Sequence, residues 1–240
     1  MLIEVCANSI ESALNAEKGG VDRIELCSEL GVGGITPSYG LLKTAKKKLS
    51  IPIHVLIRPR SGDFTYSDIE FEQMKENILL CNKMGFGGVV SGVLYKDFTL
   101  DFERTKELKE AAGSMKFTFH RAFDWVQEPF TVLEQLEEIG VDYILTSGQQ
   151  KSALEGIEFL SELKQNAKSC VILPGGGIKE TNVMEFKSKG FEEIHLSGTG
   201  FFKTLDTKPN VSMNSLSFIK DDELAVTSLE TIRKICSKVK

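Results

Sequence analysis

Short apolar segments alternate with longer amphipathic segments along the chain, and this repeat constrains the fold more than any other feature. Eight segments have strand-like composition, at 2–6, 23–27, 53–58, 88–91, 116–120, 143–146, 170–173 and 193–197. Repeated strand–helix units specify parallel strands with right-handed crossovers. A closed (β/α)8 barrel, or TIM barrel, fits this count and the length of 240 residues better than an open doubly wound sheet does. We therefore predict an α/β chain forming a single TIM-barrel domain over residues 1–240.

Pairs of capping residues predict where several helices begin. Ser67 is followed three residues later by Glu70, which is the pattern of a capping box. Asn8 and Thr227 precede a glutamate by the same spacing. They predict the starts of the first and last helices.

One segment, at about 203–224, does not fit the repeat. It lies between the eighth strand and the last helix, and an ordered loop of this length needs a structural reason. The apolar residues that it carries include Val211, Met213, Leu216, Phe218 and Ile219. Because apolar side chains on a surface loop need a cover, we expect the segment to lie across its own barrel or against a second subunit, in a homodimer.

Composition narrows the class of partner. The net charge is −5, and an acidic balance argues against nucleic acid, whose binding needs a basic face. No apolar run approaches the ~20 residues of a membrane span, and the N-terminus lacks the features of a signal peptide. The five cysteines are scattered and odd in number, which is typical of reduced thiols. These features predict a cytoplasmic protein that binds neither nucleic acid nor membrane.

Polar residues collect at the carboxyl ends of the predicted strands, where TIM barrels carry their function. The stretch 119–124, Phe-His-Arg-Ala-Phe-Asp, ends the fifth strand with an imidazole, a guanidinium and a carboxylate. Buried groups of this kind need partners from other strands. The candidates for acid–base chemistry are Glu4, Glu25, His120 and Asp124.

Arg58 and Arg121 are the candidates for holding an anion at the same end of the barrel. The competing interpretation is a structural ion network, in which Glu4 and Glu25 neutralise the two arginines. His195 fits either interpretation. His54 lies early in its strand and is predicted to be a satisfied core histidine.

Glycine-rich turns follow the seventh and eighth strands. Gly175-Gly176-Gly177 can offer backbone N–H groups to an anion. Ser197 opens a second turn, Ser-Gly-Thr-Gly, and many barrels bind phosphate at this place. We therefore add Gly176, Gly177 and Ser197 to the anion-binding set, with a pair of tight turns as the alternative.

Metal and nucleophile motifs are sparse. The sequence has no Cys-x-x-Cys, Met-x-x-Met or His-Glu-x-x-His. Cys6 and Cys27 fall on adjacent strands, where two thiolates would suit Cu(I); two buried packing residues are the alternative. No lysine stands at a strand end in position for a Schiff base, which argues against a lysine aldolase.

Several motifs resemble those of the CutC family. They are Ile-Glu-Val-Cys at 3–6, Arg-Ile-Glu-Leu-Cys-Ser at 23–28, Gly-Gly-Ile-Thr-Pro-Ser at 33–38, Ile-Arg-Pro-Arg at 57–60, Thr-Phe-His-Arg-Ala-Phe-Asp at 118–124 and Pro-Gly-Gly-Gly at 174–177. The resemblance covers residues 2 to about 200 and implies a cytoplasmic barrel described as a copper homeostasis protein. It implies Cys6 and Cys27 as copper-associated thiols. It also places a cluster in the barrel mouth: Glu4, Glu25, Arg58, His120, Arg121 and Asp124.

The chain departs from the family pattern at two places. Leu56 stands where a methionine is usual, which removes one soft donor and weakens the case for copper. The turn that begins at Ser197 differs from the usual ending, which weakens the case for phosphate there.

Two functional interpretations follow. The first is a copper-handling protein that binds Cu(I) through Cys6 and Cys27. The second is an enzyme acting on a small anionic or phosphorylated metabolite, in which His120 and a carboxylate perform acid–base chemistry while Arg58 and Arg121 hold the anion.

Overall fold

Eight parallel strands form the barrel in a computed structural model that describes residues 1–213 and 220–240. The strands are β1 (Leu2–Ala7), β2 (Arg23–Leu26), β3 (Ile53–Leu56), β4 (Gly88–Ser91), β5 (Lys116–Phe119), β6 (Tyr143–Thr146), β7 (Val171–Pro174) and β8 (Glu193–Leu196). They pair in sequence order, and β1 also pairs with β8. A single parallel bridge between Gly175 and His195 joins β7 to β8. The predicted TIM barrel is confirmed.

In residues 1–213 and 220–240, eight α-helices surround the strands. They are α1 (Ile10–Gly19), α2 (Tyr39–Lys48), α3 (Asp68–Lys83), α4 (Phe102–Ala112), α5 (Pro129–Ile139), α6 (Ile157–Asn166), α7 (Val183–Ser188) and α8 (Leu229–Val239). In the described part of the chain, none of them is long and apolar enough to cross a membrane.

Strand residues alternate between the helix layer and the barrel interior. Along β1, Ile3 and Val5 are completely buried members of the main hydrophobic core. Glu4 and Cys6 point the other way, and the hydrogen bonds of both lead to β8. On β1, the barrel interior therefore receives Glu4 and Cys6, while Ile3 and Val5 pack against the helices.

The capping residues confirm one predicted helix start and shift two. Ser67 and Glu70 form a complete capping box at α3. The predicted starts at Asn8 and Thr227 were wrong by one residue, because the hydroxyls of Ser9 and Ser228 accept the N–H groups of the first turns.

Two strands that the sequence analysis did not predict flank the irregular segment. Residues 199–203 form β9 (Thr199–Lys203), and residues 223–227 form β10 (Glu223–Thr227); the two pair antiparallel. We call this hairpin, with the described residues between its strands, the arm. The expectation of a cover rested partly on three apolar residues that lie outside the described residues: Leu216, Phe218 and Ile219.

Candidate functional site

The carboxyl ends of the strands enclose a cavity of about 980 Å³. Ten of the residues that line it are Cys6, Glu25, Arg58, Phe64, His120, Arg121, Asp124, Gly176, Gly177 and His195. Ser197 lines it as well. Among the residues selected from the sequence, Glu4 and Cys27 are not on its wall.

Glu4, Glu25 and His195 lie close together. Glu25 and His195 line the cavity. The Nδ1 atom of His195 is 2.8 Å from Oε1 of Glu4 and 3.9 Å from Oε2 of Glu25. Glu4 is completely buried, and its other oxygen accepts a hydrogen bond from Nε of Arg23. Glu4 is therefore committed to two cationic partners, whereas Oε2 of Glu25 has no hydrogen-bond partner.

The two glutamates have opposite pKa shifts. Burial alone raises the pKa of Glu4, but the hydrogen bond with His195 and the charge of Arg23 lower it to about 2. Burial raises the pKa of Glu25 to about 7, and the charge of Glu4 adds to this effect. At neutral pH, Glu4 is an anion and Glu25 is close to half protonated.

His195 is held as a cation. Burial alone lowers its pKa, but the charges of Cys6 and Glu25 and the hydrogen bonds with Cys6 and Glu4 raise the pKa well above the usual value. The sequence left the role of His195 open, because its significance depends on β8 lying beside β1. The register pairs His195 directly with Glu4.

Arg23 is the buried cation of this network that sequence reasoning missed. It opens β2 at the amino end, away from the cavity, and it is only 4% exposed. Its Nη2 atom donates to Glu193 at 2.9 Å, and its guanidinium lies 4.6 Å from the centre of the Tyr143 ring. The ion network suggested from the sequence exists, but it pairs Glu4 with Arg23 and His195 rather than with Arg58 or Arg121.

His54 extends this network, and it is not fully satisfied. Its Nδ1 atom is 3.8 Å from Oε2 of Glu4 and has no hydrogen-bond partner. Burial lowers the pKa of His54 to about 4, so the ring is neutral near neutral pH.

Arg58 joins the loop after β2 to the loop after β3 by hydrogen bonds. Its Nη1 atom donates to the carbonyls of Val32 and Gly34, and Nη2 donates to the carbonyl of Gly62. Among the described residues, Nε has no partner. Arg58 therefore offers a ligand its charge and the Nε–H, and a bidentate pair with an anion through both Nη atoms would have to displace some of these contacts.

Arg121 has more freedom. Its side chain is 46% exposed; Nε donates to Asp124, and Nη2 donates to Ser147. Within the described chain, no protein group accepts a hydrogen bond from Nη1. A Cβ atom built on Gly176 would lie 3.4 Å from this guanidinium, so the glycine loop and Arg121 are immediate neighbours.

Asp124 organises the loop after β6. Its Oδ1 atom accepts from the hydroxyl of Thr146 and from the N–H groups of Ser147 and Gln149, while Oδ2 accepts from Arg121. With both oxygens occupied by these contacts, Asp124 positions Arg121.

His120 is buried, and its ring has one unused donor. Its Nδ1 atom accepts the N–H of Ala122, so the proton of the neutral ring lies on Nε2, which has no partner. Burial and the charge of Arg58 lower the pKa of His120 to about 3. His120 is thus a neutral hydrogen-bond donor near neutral pH.

The glycine turn after β7 adopts the geometry that only glycine accepts readily. Gly176 and Gly177 have φ angles of 107° and 76°, and both line the cavity. Ser197 lines the same side of the barrel, next to β8. These three residues and Arg121 therefore line the same cavity, and Gly176 lies directly beside Arg121.

Cys6 and Cys27 are both buried, but they differ in access. Cys6 lines the cavity, and its Sγ atom lies 3.6 Å from the carbonyl of Leu196. Cys27 packs with Leu56 and Val90 inside the barrel, and its Sγ atom contacts the carbonyl of Ala7. Burial raises the pKa of Cys27 well above the usual value, and the charges of Cys6 and Glu25 add to this effect.

Glu4, Glu25 and His195 also form a set of potential metal ligands, with one donor atom from each lying within 4.8 Å of the others. The hydrogen bond between Glu4 and His195 uses two of those donors, and Arg23 already balances the charge of Glu4. Protein groups therefore already balance Glu4, whereas Oε2 of Glu25 has no hydrogen-bond partner.

Comparison with known proteins places this barrel in a family. The model of the CutC family matches residues 1–200. The chain belongs to the CutC family. A CutC family protein of Serratia proteamaculans is 45% identical over 195 residues, covering 81% of this chain and 77% of the relative.

Solved structures agree with the sequence match. The chain is similar to the putative copper homeostasis protein CutC from Streptococcus agalactiae, with a TM-score of 0.78 and 32% identity over 82% of this chain and 98% of the other. It also resembles thiamine phosphate pyrophosphorylase from Pyrococcus furiosus, with a TM-score of 0.59 and 14% identity over 99% and 95% of the two chains. At that identity, the likeness shows the barrel fold alone. The CutC match ends at residue 200, so β10 and α8 lie beyond it.

Proposed function

We propose that this CutC-family barrel is an enzyme that acts on a small anionic or phosphorylated metabolite by acid–base chemistry in the cavity. The observation that carries the proposal is Glu25, a buried carboxyl on the cavity wall with an unpartnered oxygen and a pKa of about 7. A group that titrates near the working pH can both take and return a proton. Titratable groups perturbed by burial and lying in a cleft are typical of catalytic sites.

Glu4 and His195 support Glu25 in this proposal. Glu4 holds the imidazolium of His195 through the 2.8 Å contact at Nδ1, and His195 lies within 3.9 Å of Glu25. A buried cation next to the base stabilises negative charge that develops on the substrate as the proton leaves. Glu25 is the base, His195 is the electrostatic partner, and Glu4 is a positioning residue.

Arg121 and the turns after β7 and β8 hold the anion in this proposal. Arg121 has a free donor, Gly176 lies beside it, and Gly177 and Ser197 line the same cavity. Short, charge-assisted contacts of this kind contribute about 1.5–3 kcal/mol each. Arg58 adds positive charge, and Asp124 orients Arg121.

Solvent deuterium uptake tests the acid–base proposal before the substrate is known. The protein is incubated in D2O with separate phosphorylated sugars and small organic acids, and mass spectrometry detects carbon-bound deuterium. A base that removes and returns a proton leaves deuterium in one of these compounds. Glu25→Gln should abolish the uptake, and Glu25→Asp should slow it.

The matched control is Glu162→Gln, which changes an exposed glutamate on α6 far from the barrel interior. It should exchange at the wild-type rate, and thermal unfolding should show that every variant is folded. An uptake that survives in Glu25→Gln would contradict the role of Glu25, and an absence of both uptake and ligand binding would contradict the enzyme proposal.

Copper handling is the second candidate, and the placement of Cys6 on β1 and of Cys27 directly after the adjacent β2 favours it. The structurally similar protein from Streptococcus agalactiae is described as a putative copper homeostasis protein. Copper would have to displace the contacts of both thiols with carbonyls and release the proton of Cys27. Leu56 packs against Cys27 and offers no donor.

Competition titration with Cu(I) tests the copper candidate. If the two thiols form a site, Cys6→Ser and Cys27→Ser should each lower Cu(I) affinity steeply. Cys236→Ser is the matched control, because this thiol lies in α8 outside the barrel interior. Equal affinity in the wild type and in the Cys6→Ser/Cys27→Ser double variant would contradict the candidate.

A cytoplasmic location belongs to the same proposal. All five cysteines are free and buried, as is usual for proteins in a reducing compartment. The partners we propose are a small anion or a copper ion, and a second copy of the chain.

A further inference from the structure

A row of aromatic rings leads from the surface into the cavity. Trp125 and Phe64 line the cavity, and their ring centres lie 4.8 Å apart at an angle of 64°. Phe98 packs edge-on against the outer side of this pair, 6.0 Å from Trp125. His120 continues the row inward, 4.7 Å from Phe64. We call these four side chains the aromatic wall.

The outer part of the aromatic wall is incompletely buried. Trp125 is 44% exposed and Phe98 is 41% exposed, although large aromatic side chains are usually well buried in a folded protein. Phe98 has a φ angle of 64°, a conformation that is costly for a bulky residue. The chain thus accepts a strained backbone at the residue that packs against the exposed indole.

The inner part of the aromatic wall has an unpaired donor. The Nε2–H of His120 has no acceptor among the described residues, although His120 is only 5% exposed. An unpaired buried donor is costly, so a ligand that accepts this hydrogen bond gains affinity. The pKa of about 3 keeps the ring in the neutral, donating form.

The residues of the proposed anion site line the same cavity as the aromatic wall. Arg121 precedes Trp125 in the short 3-10 helix after β5, and Gly176 lies beside Arg121. One ligand can therefore meet a cationic region and flat aromatic surfaces in one cavity. The volume of about 980 Å³ is at the upper end for small-molecule sites and accommodates a molecule with both parts.

We propose that the cavity binds a phosphomonoester carrying a flat heteroaromatic ring, with the ring against Trp125 and Phe64 and a ring acceptor taking the Nε2–H of His120. The phosphate part of this ligand rests on the proposed function. The heteroaromatic ring is the part that this inference adds. Ring stacking on aromatic side chains tolerates any flat base, whereas His120 requires an acceptor on the ring edge.

The single tryptophan makes the test direct, because Trp125 is the only source of indole fluorescence in the chain. The intact protein is titrated with AMP, adenosine, ribose phosphate and inorganic phosphate, using fluorescence and calorimetry. AMP should change the Trp125 emission and bind roughly tenfold or more tightly than ribose phosphate does. Ribose phosphate should bind without that emission change.

Variants separate the ring contribution from the phosphate contribution. By calorimetry, Trp125→Phe should keep most of the AMP preference, whereas Trp125→Ala should reduce AMP to the affinity of ribose phosphate. His120→Phe removes the donor while keeping a flat ring, and it should weaken AMP without weakening ribose phosphate. Tyr39→Ala is the matched control, because it removes an exposed aromatic ring that is not on the cavity wall.

The outcomes distinguish this inference from the function it rests on. Equal affinity for AMP and ribose phosphate, with no effect of Trp125→Ala, overturns the aromatic wall as a ring site and leaves the anion proposal standing. Adenosine binding as tightly as AMP supports the ring site and contradicts the anion region. If none of the four compounds binds, both proposals are overturned.

Discussion

The three histidines show how position along the barrel decides the chemistry of one residue type. His54 and His120 are buried without an anionic partner in hydrogen-bond contact, and burial lowers their pKa values to about 4 and about 3. His195 is equally buried, but Cys6, Glu25 and Glu4 surround it and raise its pKa. Desolvation disfavours the charged form in all three, and only nearby negative groups reverse the result.

Glu25 gives the first prediction at the residue scale. Its folded pKa of about 7 lies above the ordinary value of 4.5, so the folded chain binds the extra proton between these two pH values. Stability contributed by this group is present below pH 4.5 and is lost as the pH rises through 7. Glu25→Gln removes the loss and should stabilise the protein above pH 7 by about 1–3 kcal/mol, with little effect near pH 4.5.

Chemical denaturation across this pH range measures the effect. The neighbouring Glu4→Gln is the contrasting variant: its carboxylate has a pKa lowered to about 2 and two cationic partners. It should destabilise at neutral pH, because Arg23 and His195 lose their anion. An equal response of the two variants would contradict the assigned charge states.

Arg58 and Arg121 form a matched pair for the second prediction. Arg58 satisfies three carbonyl groups of two loops, so Arg58→Ala should destabilise the fold by roughly 2–4 kcal/mol. Arg121 is half exposed, so Arg121→Ala should change stability by less than about 1 kcal/mol while weakening phosphate binding roughly tenfold or more.

Thermal unfolding with and without phosphate or sugar phosphates separates the two roles. Arg121→Ala should melt near the wild-type temperature and lose the upward shift caused by the anion. A loss of the shift only in Arg58→Ala, with Arg121→Ala unaffected, would mean that the anion site does not involve Arg121.

At the scale of elements, the side chain of His54 on β3 limits which residue can begin β4. Gly88 begins β4 opposite His54 of β3, and a Cβ atom at Gly88 would lie only 2.6 Å from the imidazole. We predict that Gly88→Ala displaces His54 and destabilises the protein by about 1–3 kcal/mol.

Equilibrium unfolding of Gly88→Ala checks this prediction, and the double variant with His54→Ala identifies the cause. Removing the imidazole should relieve most of the effect, since the two positions interact directly. Additive losses in the double variant would show that the strand itself, rather than the ring, rejects the alanine.

At the scale of the whole molecule, the arm is the part that the barrel does not explain. Several of its apolar side chains are largely exposed: Phe201, Phe202, Leu205, Val211, Met213 and Leu224. Exposed apolar patches of this kind mark contact surfaces. We predict that the arm mediates a homodimer.

Light scattering on purified protein tests the arm. Wild type should have the mass of a dimer, and deletion of residues 208–220 or Phe201→Ser should shift it toward the monomer. Tyr39→Ser, which changes an exposed aromatic side chain on α2, should leave the mass unchanged. A monomeric wild type, or a dimer that survives both arm variants, would contradict the prediction.

Much of the architecture follows from local sequence patterns. Strand–helix alternation predicts the barrel, and the rule that barrel chemistry lies at the carboxyl ends of strands selects Glu25, Arg58, His120 and Arg121, all of which line one cavity. The strands of the arm were missed because, among the described residues, they pair with each other and expose apolar side chains. They therefore lack the alternation of apolar and polar residues by which a half-buried strand is predicted.

What the sequence determined by itself was the fold and the end of the barrel that carries polar groups, because hydrophobic periodicity and strand direction are properties of single segments. What only the tertiary structure decided was the pairing of those groups. Arg23 lies at the amino end of its strand, away from the cavity, and still donates a hydrogen bond to Glu4. The carboxylate of Asp124 accepts hydrogen bonds from the loop after β6. Protonation depends on burial and on charges brought together from distant strands, so the pKa of Glu25 and the charge of His195 exist only once β1, β2 and β8 lie side by side.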